Sequence, residues 1–166
     1  FIGAFASYGY RKDPVDGHRI IIDPEAAGVV REIFRRKLEG QGDTAITRWL
    51  NATGVPSPGC YRYQKGIILD KRFARYKPWL VQSVKDILRN EVYLGHMVQG
   101  RRRSEFYAGR PDKRLPRDEW TVVENTHEPI ISRGDFNAVQ AICAERNTAY
   151  HARLGKYDHL GKRENI

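Results

Sequence analysis

Apolar residues recur at helical spacing in four segments of the chain. In the first segment, apolar residues between positions 29 and 38 alternate with charged ones, a pattern typical of an amphipathic helix. The preceding Asp23-Pro24-Glu25 offers an N-cap, a first-turn proline and an acid at the positive end of the helix dipole. The pattern therefore predicts a helix that ends at Gly40.

Three further helices are predicted on the same grounds. The second covers residues 43–53 and is followed by a glycine suited to a helix C-terminus. The third covers residues 78–90, opened by a Pro-Trp pair and carrying a clear apolar stripe. The fourth begins at Ser132 or Gly134 and ends at about Arg146. After residue 147 the sequence turns polar, and we expect a loosely held tail.

Short strands are predicted around these helices. Residues 19–22 are β-branched and follow a turn signal at residues 13–17, which favours a first hairpin. Residues 93–98 and 120–123 are expected to pair as a second hairpin, with residues 104–118 as its mobile tip. We assign the chain to the α+β class: about four helices, one or two small antiparallel hairpins and a helix-turn-helix-like core.

Charge is the strongest compositional signal. The chain has 166 residues with 29 Lys and Arg against 20 Asp and Glu, a formal net charge of +9. Residues 60–117 carry 15 basic and 5 acidic side chains, so the excess lies in the middle third. This distribution indicates a site for a polyanion.

The stretch 60–77 is basic and aromatic without a clean period, so we interpret it as mainly loop. Clustered cations interleaved with tyrosines favour nucleic acid over a membrane surface, although a charge run can equally be a solvated face. The predicted phosphate contacts are Arg72, Arg75, Lys77, Arg101, Arg102 and Arg103.

The predicted helices 43–53 and 78–90 form a possible helix-turn-helix pair. The second would lie in a major groove, with one face in the core and its polar face on base edges and phosphates. The link between them is much longer than the usual three or four residues, so ordinary helix packing remains the alternative. The predicted base contacts are Gln82, Ser83, Lys85 and Arg89.

Catalytic, metal and membrane signals are weak. The longest apolar runs are far too short for a membrane span, and no signal peptide is evident. Cys60 and Cys143 alone make neither a disulfide framework nor a zinc site, which favours a reducing, cytoplasmic compartment. No nucleophile elbow or phosphate loop occurs, so we expect no catalytic residue, metal or cofactor.

The three tryptophans, Trp49, Trp79 and Trp120, are expected as core anchors.

Short motifs follow one another in a characteristic order along the chain. They are Tyr8-Gly9-Tyr10, Asp23-Pro24-Glu25-Ala26-Ala27, Val30-Arg31-Glu32-Ile33-Phe34, Trp49-Leu50-Asn51, Gly54-Val55-Pro56, Trp79, Ile87-Leu88-Arg89-Asn90, Tyr93-Leu94-Gly95, Trp120 and His127-Glu128-Pro129-Ile130-Ile131. In their order and number these motifs resemble the recombinase domain of large serine recombinases, and the resemblance covers roughly residues 5–147. The chain departs from the family's common residues at Ser7, Leu80 and Glu91.

The resemblance implies the DNA-binding domain of a site-specific recombinase from a phage or mobile element. On that basis residues 1–147 form the domain, and residues 148–166 form a polar tail or linker towards a downstream zinc ribbon. The family's nucleophilic serine lies in a separate N-terminal resolvase-like domain, so this fragment is expected to bind an attachment half-site in duplex DNA without chemistry of its own. The sequence lacks an initiator methionine, which suggests a piece of a longer protein, and that parent is expected to form a dimer or tetramer on DNA.

Two other functions stay open from the sequence. A non-recombinase DNA-binding regulator would bind its operator as a stable dimer. An RNA-binding accessory domain would prefer structured or single-stranded RNA and stack bases on Tyr61, Tyr63 or Tyr76. A wholly structural role would show no salt-sensitive affinity for nucleic acid.

Overall fold

Five α-helices dominate the described part of the computed structural model, which comprises residues 5–103 and 113–155. The helices are α1 (Pro24–Leu38), α2 (Asp43–Ala52), α3 (Pro58–Gln64), α4 (Val81–Leu88) and α5 (Arg133–Gly155). The strands are β1 (Tyr10–Lys12), β2 (Ile20–Ile22), β3 (Met97–Gln99), β4 (Arg102–Arg103), β5 (Lys113–Arg114) and β6 (Thr121–Val123). They form three antiparallel pairs, β1 with β2, β3 with β6 and β4 with β5. The α+β class predicted from the sequence is confirmed.

The first two helices form as their sequences predict. Asp23 caps α1 by accepting a hydrogen bond from the Ala26 backbone N–H at 3.4 Å, and the apolar face of α1 is buried in the core. In the turn to α2, the Lys37 side chain is buried and its Nζ lies 2.5 Å from Asp43 Oδ1. A buried ammonium needs such a partner, so this ion pair ties the end of α1 to the start of α2.

Aromatic side chains join the helices and the first hairpin in one core. The buried Tyr93 hydroxyl donates a hydrogen bond to the Tyr8 carbonyl oxygen at 2.9 Å. The ring centroids of Phe34 and Phe136 lie 6.0 Å apart, which connects α1 to α5. Because these residues come from four separate segments of sequence, the core closes only when the whole chain is folded.

The expectation that residues 60–77 are mainly loop is wrong for the first five of them. Pro58–Gln64 forms α3, which starts after Ser57 with proline in its first turn. Tyr61 is buried and its hydroxyl donates to Asp23 Oδ2 at 2.8 Å, which fastens α3 to the start of α1. A seven-residue helix spans only about two turns, too short for a helical period to stand out in the sequence.

The third predicted helix starts later and ends earlier than expected. Trp79 lies outside the helix, Leu80 holds the N-cap position with an extended backbone, and α4 covers only Val81–Leu88. The Trp79 backbone N–H donates to Asn51 Oδ1 at 2.8 Å, so it is bonded to α2 rather than within α4. A side chain distant in the sequence thus sets this helix boundary.

The strand predicted at residues 93–98 is shorter, because residues 91–94 form a 3-10 turn. Asn90 Oδ1 accepts a hydrogen bond from the Val92 N–H at 3.3 Å, and Gly95 leaves the turn with a φ of +83°. A residue with a side chain is strained at that φ, so glycine suits the position. The predicted second hairpin is confirmed as the pair of β3 with β6, in which Met97 lies opposite Val123.

The predicted loop and tail also contain regular structure. Of residues 104–118, the part at 104–112 lies outside the described residues, while β5 and a 3-10 turn at Arg117–Glu119 follow it. The last helix does not end at Arg146 but continues to Gly155. In this extension residues 147–153 have exposed side chains, and alanines with good helix propensity occur among them, which the polar composition did not suggest.

The tryptophans differ in their surroundings. Trp79 is a core residue with 2% of its surface exposed. Trp49 and Trp120 are only half-buried, and each lies beneath an arginine: the Arg36 guanidinium is 3.8 Å from the Trp49 ring centroid and that of Arg101 is 5.3 Å from Trp120. The expectation of three core anchors therefore holds for one.

We expect the fold to lose stability as the pH falls below about 6.5, because burial lowers the pKa of His127. His127 Nε2 lies 2.8 Å from the Val92 carbonyl oxygen. A lowered pKa in the folded state means that the neutral ring is stabilising and that protonation favours unfolding. Urea unfolding of the wild type should show a lower midpoint at pH 5.5 than at pH 7.5. In His127→Gln that difference should shrink, and an unchanged difference would assign the pH dependence to other groups.

Candidate nucleic-acid interface

Helix α4 presents a polar face to solvent. Val84, Ile87 and Leu88 are buried against α1, α2 and α5. At about 100° per residue, positions 82, 86 and 89 cluster on the opposite side, and all three are exposed. This short amphipathic helix lies on the surface of the core with one face free for a partner.

Three of the four predicted base-contact residues lie on or beside that outer face. Gln82 Nε2 donates to Asp86 Oδ1 at 2.8 Å, Arg89 is exposed at the C-cap, and Lys85 is half-buried at the edge. Ser83 lies on the other flank of the helix, where it lines a cavity of about 240 Å³ with the half-buried Arg62. The structure therefore brings together Gln82, Lys85 and Arg89 and separates Ser83 from them.

The segment before α4, which we call the basic loop (residues 71–77), is held by side chains of other helices. Asn51 of α2 donates from Nδ2 to the Trp79 carbonyl oxygen at 3.2 Å and accepts from the Tyr76 hydroxyl at 3.1 Å. The Cys60 thiol of α3 lies 3.5 Å from the Arg75 carbonyl oxygen. These contacts hold the basic loop against α2 and α3 at the start of α4.

A glycine in α3 allows the same loop to pack closely. The Phe73 ring lies against Gly59 so tightly that any Cβ at that position would overlap it. The Lys77 ammonium lies 5.0 Å from the centroid of the Phe73 ring. Packing at Phe73 therefore places Lys77 beside the ring, with its side chain exposed.

The predicted phosphate contacts of the basic loop differ in how free their charges are. Arg72 is 80% exposed but forms an ion pair with Asp70, whose pKa is lowered by the guanidinium. Arg75 and Lys77 are exposed, and no carboxylate of the described residues lies within ion-pair distance of either. Arg75 and Lys77 are thus the more available cations for a phosphate.

The predicted phosphate contacts at residues 101–103 lie in or just before the two-stranded pair of β4 with β5, which we call the β4–β5 arm. Arg101 precedes it, is half-buried and donates from Nη2 to Asn90 Oδ1 at 3.0 Å. In the arm, Arg102 is opposite Arg114 and Arg103 is opposite Lys113. Lys113 and Arg114 are not among the predicted phosphate contacts, because they fall in a predicted loop.

Acidic side chains limit the basic surface on the hairpin side of α4. Glu91 is paired with Arg117, which lowers the pKa of the Glu91 carboxyl. This pair, Arg89 and Arg133 line a groove of about 550 Å³ between α4, β6 and α5. The groove therefore mixes both signs of charge. On the outer face of α4 the acidic residue is Asp86, and next to the basic loop it is Asp70, which is paired with Arg72.

Metal binding and membrane insertion find no support in the described residues. Within residues 5–103 and 113–155, no three His, Cys, Asp or Glu side chains form a group that could hold a metal ion. No helix in the same part of the chain is long and apolar enough to cross a membrane.

Comparison with known proteins identifies the family. The Recombinase family profile matches residues 24–146, which is well over half of the chain. The chain belongs to the Recombinase family. A curated relative, the uncharacterized protein YefB of Bacillus subtilis strain 168, is 30% identical over 88 residues, which are 51% of this chain and 29% of that protein.

Solved structures share the fold of this Recombinase chain. One is described as a crystal structure of an LSR–DNA complex, with a TM-score of 0.50 and 21% identity, covering 83% of this chain and 32% of that one. Another is described by the sequence requirements of the Listeria innocua prophage attP site. It has a TM-score of 0.50 and 21% identity, and the match covers 83% of this chain and 42% of that one. The chain therefore spans less than half the length of each of these relatives.

Proposed function

We propose that this chain is the DNA-binding domain of a site-specific serine recombinase and that it binds an attachment half-site in duplex DNA. The observation that carries the proposal is that the exposed cations Arg75 and Lys77 lie in the loop that leads into α4, whose outer face is exposed and polar. Such a surface suits a helix in the major groove flanked by phosphate contacts. Membership of the Recombinase family and the fold shared with a chain from an LSR–DNA complex support it.

In this proposal Lys85, Arg89 and Gln82 meet base edges and nearby phosphates, while Arg75 and Lys77 contact the backbone beside them. Ser83 belongs to the predicted base contacts but would reach DNA only from the flank of α4. Arg72 can contribute by exchanging Asp70 for a phosphate. Arg101 would act mainly by supporting the β4–β5 arm, and Arg102 and Arg103 by contacting phosphates.

We also infer the place of the domain in a longer protein. Residues 1–147 would form the domain, and the rest of the chain would lead towards a zinc ribbon. The nucleophilic serine would lie in a separate catalytic domain, so this part would have no chemistry of its own. The parent would act in the cytoplasm as a dimer or tetramer on DNA, where two half-sites are brought together.

Fluorescence anisotropy tests the proposal. The chain is titrated into labelled duplexes from the ends of its mobile element, with scrambled duplex and RNA as competitors, over a salt series. We expect binding to element-end duplex that survives scrambled competitor and weakens steeply with salt. Equal affinity for both duplexes, or a preference for RNA, would contradict the proposal.

Reversing charge on β5 should weaken DNA binding while ordering the β4–β5 arm. The arm places basic residues opposite basic residues, an arrangement that disfavours pairing unless an anion neutralises it. In Lys113→Glu with Arg114→Glu, each new acid is opposite an arginine of β4. We expect about tenfold weaker binding to the element-end duplex and a shallower salt dependence. In the free protein, the backbone amides of the arm should exchange more slowly with solvent.

The control for the arm reverses two exposed cations on the first hairpin, Arg11→Glu with Arg19→Glu, which changes net charge equally. If both double variants lose the same affinity, the effect belongs to overall charge and the arm has no specific contact.

A further inference from the structure

An exposed leucine stands at the start of α4. Leu80 has 63% of its surface exposed and occupies the N-cap position, while the residue before it, Trp79, is buried. A single exposed leucine is ordinary on a protein surface. Its position is less ordinary, because it lies between the basic loop and the first turn of the helix that we propose enters the major groove.

Leucine at this position weakens the helix that it begins. No side chain caps the first turn of α4, whereas Asp23 caps α1 through the Ala26 N–H. Serine, threonine, aspartate or asparagine would accept a hydrogen bond from that turn, and leucine cannot. With Leu80 at the N-cap, α4 lacks a stabilising side-chain cap and apolar surface is left in water. Neither feature stabilises the described fold.

The backbone that carries Leu80 is fixed. Asn51 bonds both the N–H and the carbonyl oxygen of Trp79, and the Trp79 indole N–H donates to the Val55 carbonyl oxygen at 3.0 Å. A side chain on such an anchored segment is presented in one place, which favours recognition because little conformational freedom is lost on binding.

The surroundings of Leu80 favour DNA over protein as its partner. Among the exposed residues near it in the chain, Arg75, Lys77 and Gln82 are charged or polar, which suits the polyanionic surface of DNA better than an apolar protein interface. In the major groove, the apolar group on the base edges is the 5-methyl group of thymine. Residues at the N-terminal end of a recognition helix are the ones that reach base edges.

We propose that Leu80 contacts the 5-methyl group of a thymine in the attachment half-site and makes this chain prefer thymine at that position. The inference rests on the proposed function and names a specificity-determining residue within it. The contact is apolar and involves no hydrogen bond, so it should discriminate thymine from its demethylated form.

A methyl-deletion cycle tests the contact. Duplexes are selected from a randomised library by the wild-type chain, and each thymine of the selected sequence is replaced in turn by deoxyuridine, which lacks only the methyl group. We expect the affinity of the wild-type chain to fall about fourfold when the thymine at one position is replaced. Leu80→Ser should bind the thymine duplex about fourfold less tightly and should not distinguish it from the deoxyuridine duplex. Leu80→Met, which keeps an apolar side chain, should retain most of the preference.

Thermal unfolding separates this role from a structural one. Leu80→Ser restores a possible cap, so its melting temperature should equal or exceed that of the wild type, by about 3 °C if the cap forms. Weaker binding by a variant that is at least as stable supports the contact. Tight, selective binding by wild type that ignores every methyl deletion, or that Leu80→Ser leaves unchanged, overturns it while the proposed function stands. Failure to select any duplex would instead count against the proposed function.

Discussion

Removing four cations from the basic loop and α4 should weaken binding to element-end duplex about 100-fold at moderate salt. The variant changes each of these residues to glutamine: Arg75, Lys77, Lys85 and Arg89. Each lost phosphate contact lowers the slope of log affinity against log salt by about 0.9, so the slope should fall by about three to four. Anisotropy titrations at several salt concentrations measure both quantities in one series.

The matched control neutralises four exposed cations elsewhere, namely Arg11, Arg19, Arg31 and Arg153. Both variants have the same net charge, so they separate a local contact from the overall field of the protein. We expect the control to lose less than tenfold. Equal losses and equal slopes in the two variants would show that α4 and the basic loop form no distinct interface, and would remove the geometric basis of the proposed function.

Local signals predicted much of the helical framework. The cap, proline and acid at residues 23–25 were sufficient to place the start of α1, because all three act within one turn. Boundaries set by distant contacts were not predictable in this way. Asn51 holds Trp79 outside the helix, so that Leu80 becomes the N-cap and α4 begins at Val81, and no feature near Trp79 in the sequence shows that bond.

In the candidate site, too, local sequence features were predictable and contacts between distant residues were not. Charge located the basic loop, since an excess of cations is visible in composition alone. Pairing is not visible, so the sequence could not show that Arg72 is held by Asp70 while Arg75 is exposed. It also could not align Lys113 with Arg103, because strand register depends on how the arm folds. These groupings require the tertiary structure.

Asn51→Ala should both destabilise the fold and weaken DNA binding, since one side chain fixes the segment that leads into α4. The substitution leaves the Trp79 N–H and carbonyl oxygen without their partner and also frees the Tyr76 hydroxyl. Each partly buried backbone group without a hydrogen bond costs about 1–3 kcal/mol, so the two groups predict a loss of about 2–6 kcal/mol in the free energy of unfolding. Urea unfolding measures this loss.

Asn51→Ala removes no charge, so the expected loss of DNA affinity comes from misplacement of the segment that leads into α4. If the freed segment holds the binding geometry in only about one molecule in ten, the apparent affinity falls about tenfold while the salt slope stays near the wild-type value. Thr53→Ala at the end of the same helix is the control, because its hydroxyl bonds only to carbonyl oxygens within α2. It should leave binding unchanged. A shallower salt slope in Asn51→Ala would mean that Asn51 itself, or a group displaced with it, contacts a phosphate. Unchanged affinity would mean that the Asn51 bonds do not position α4 for DNA.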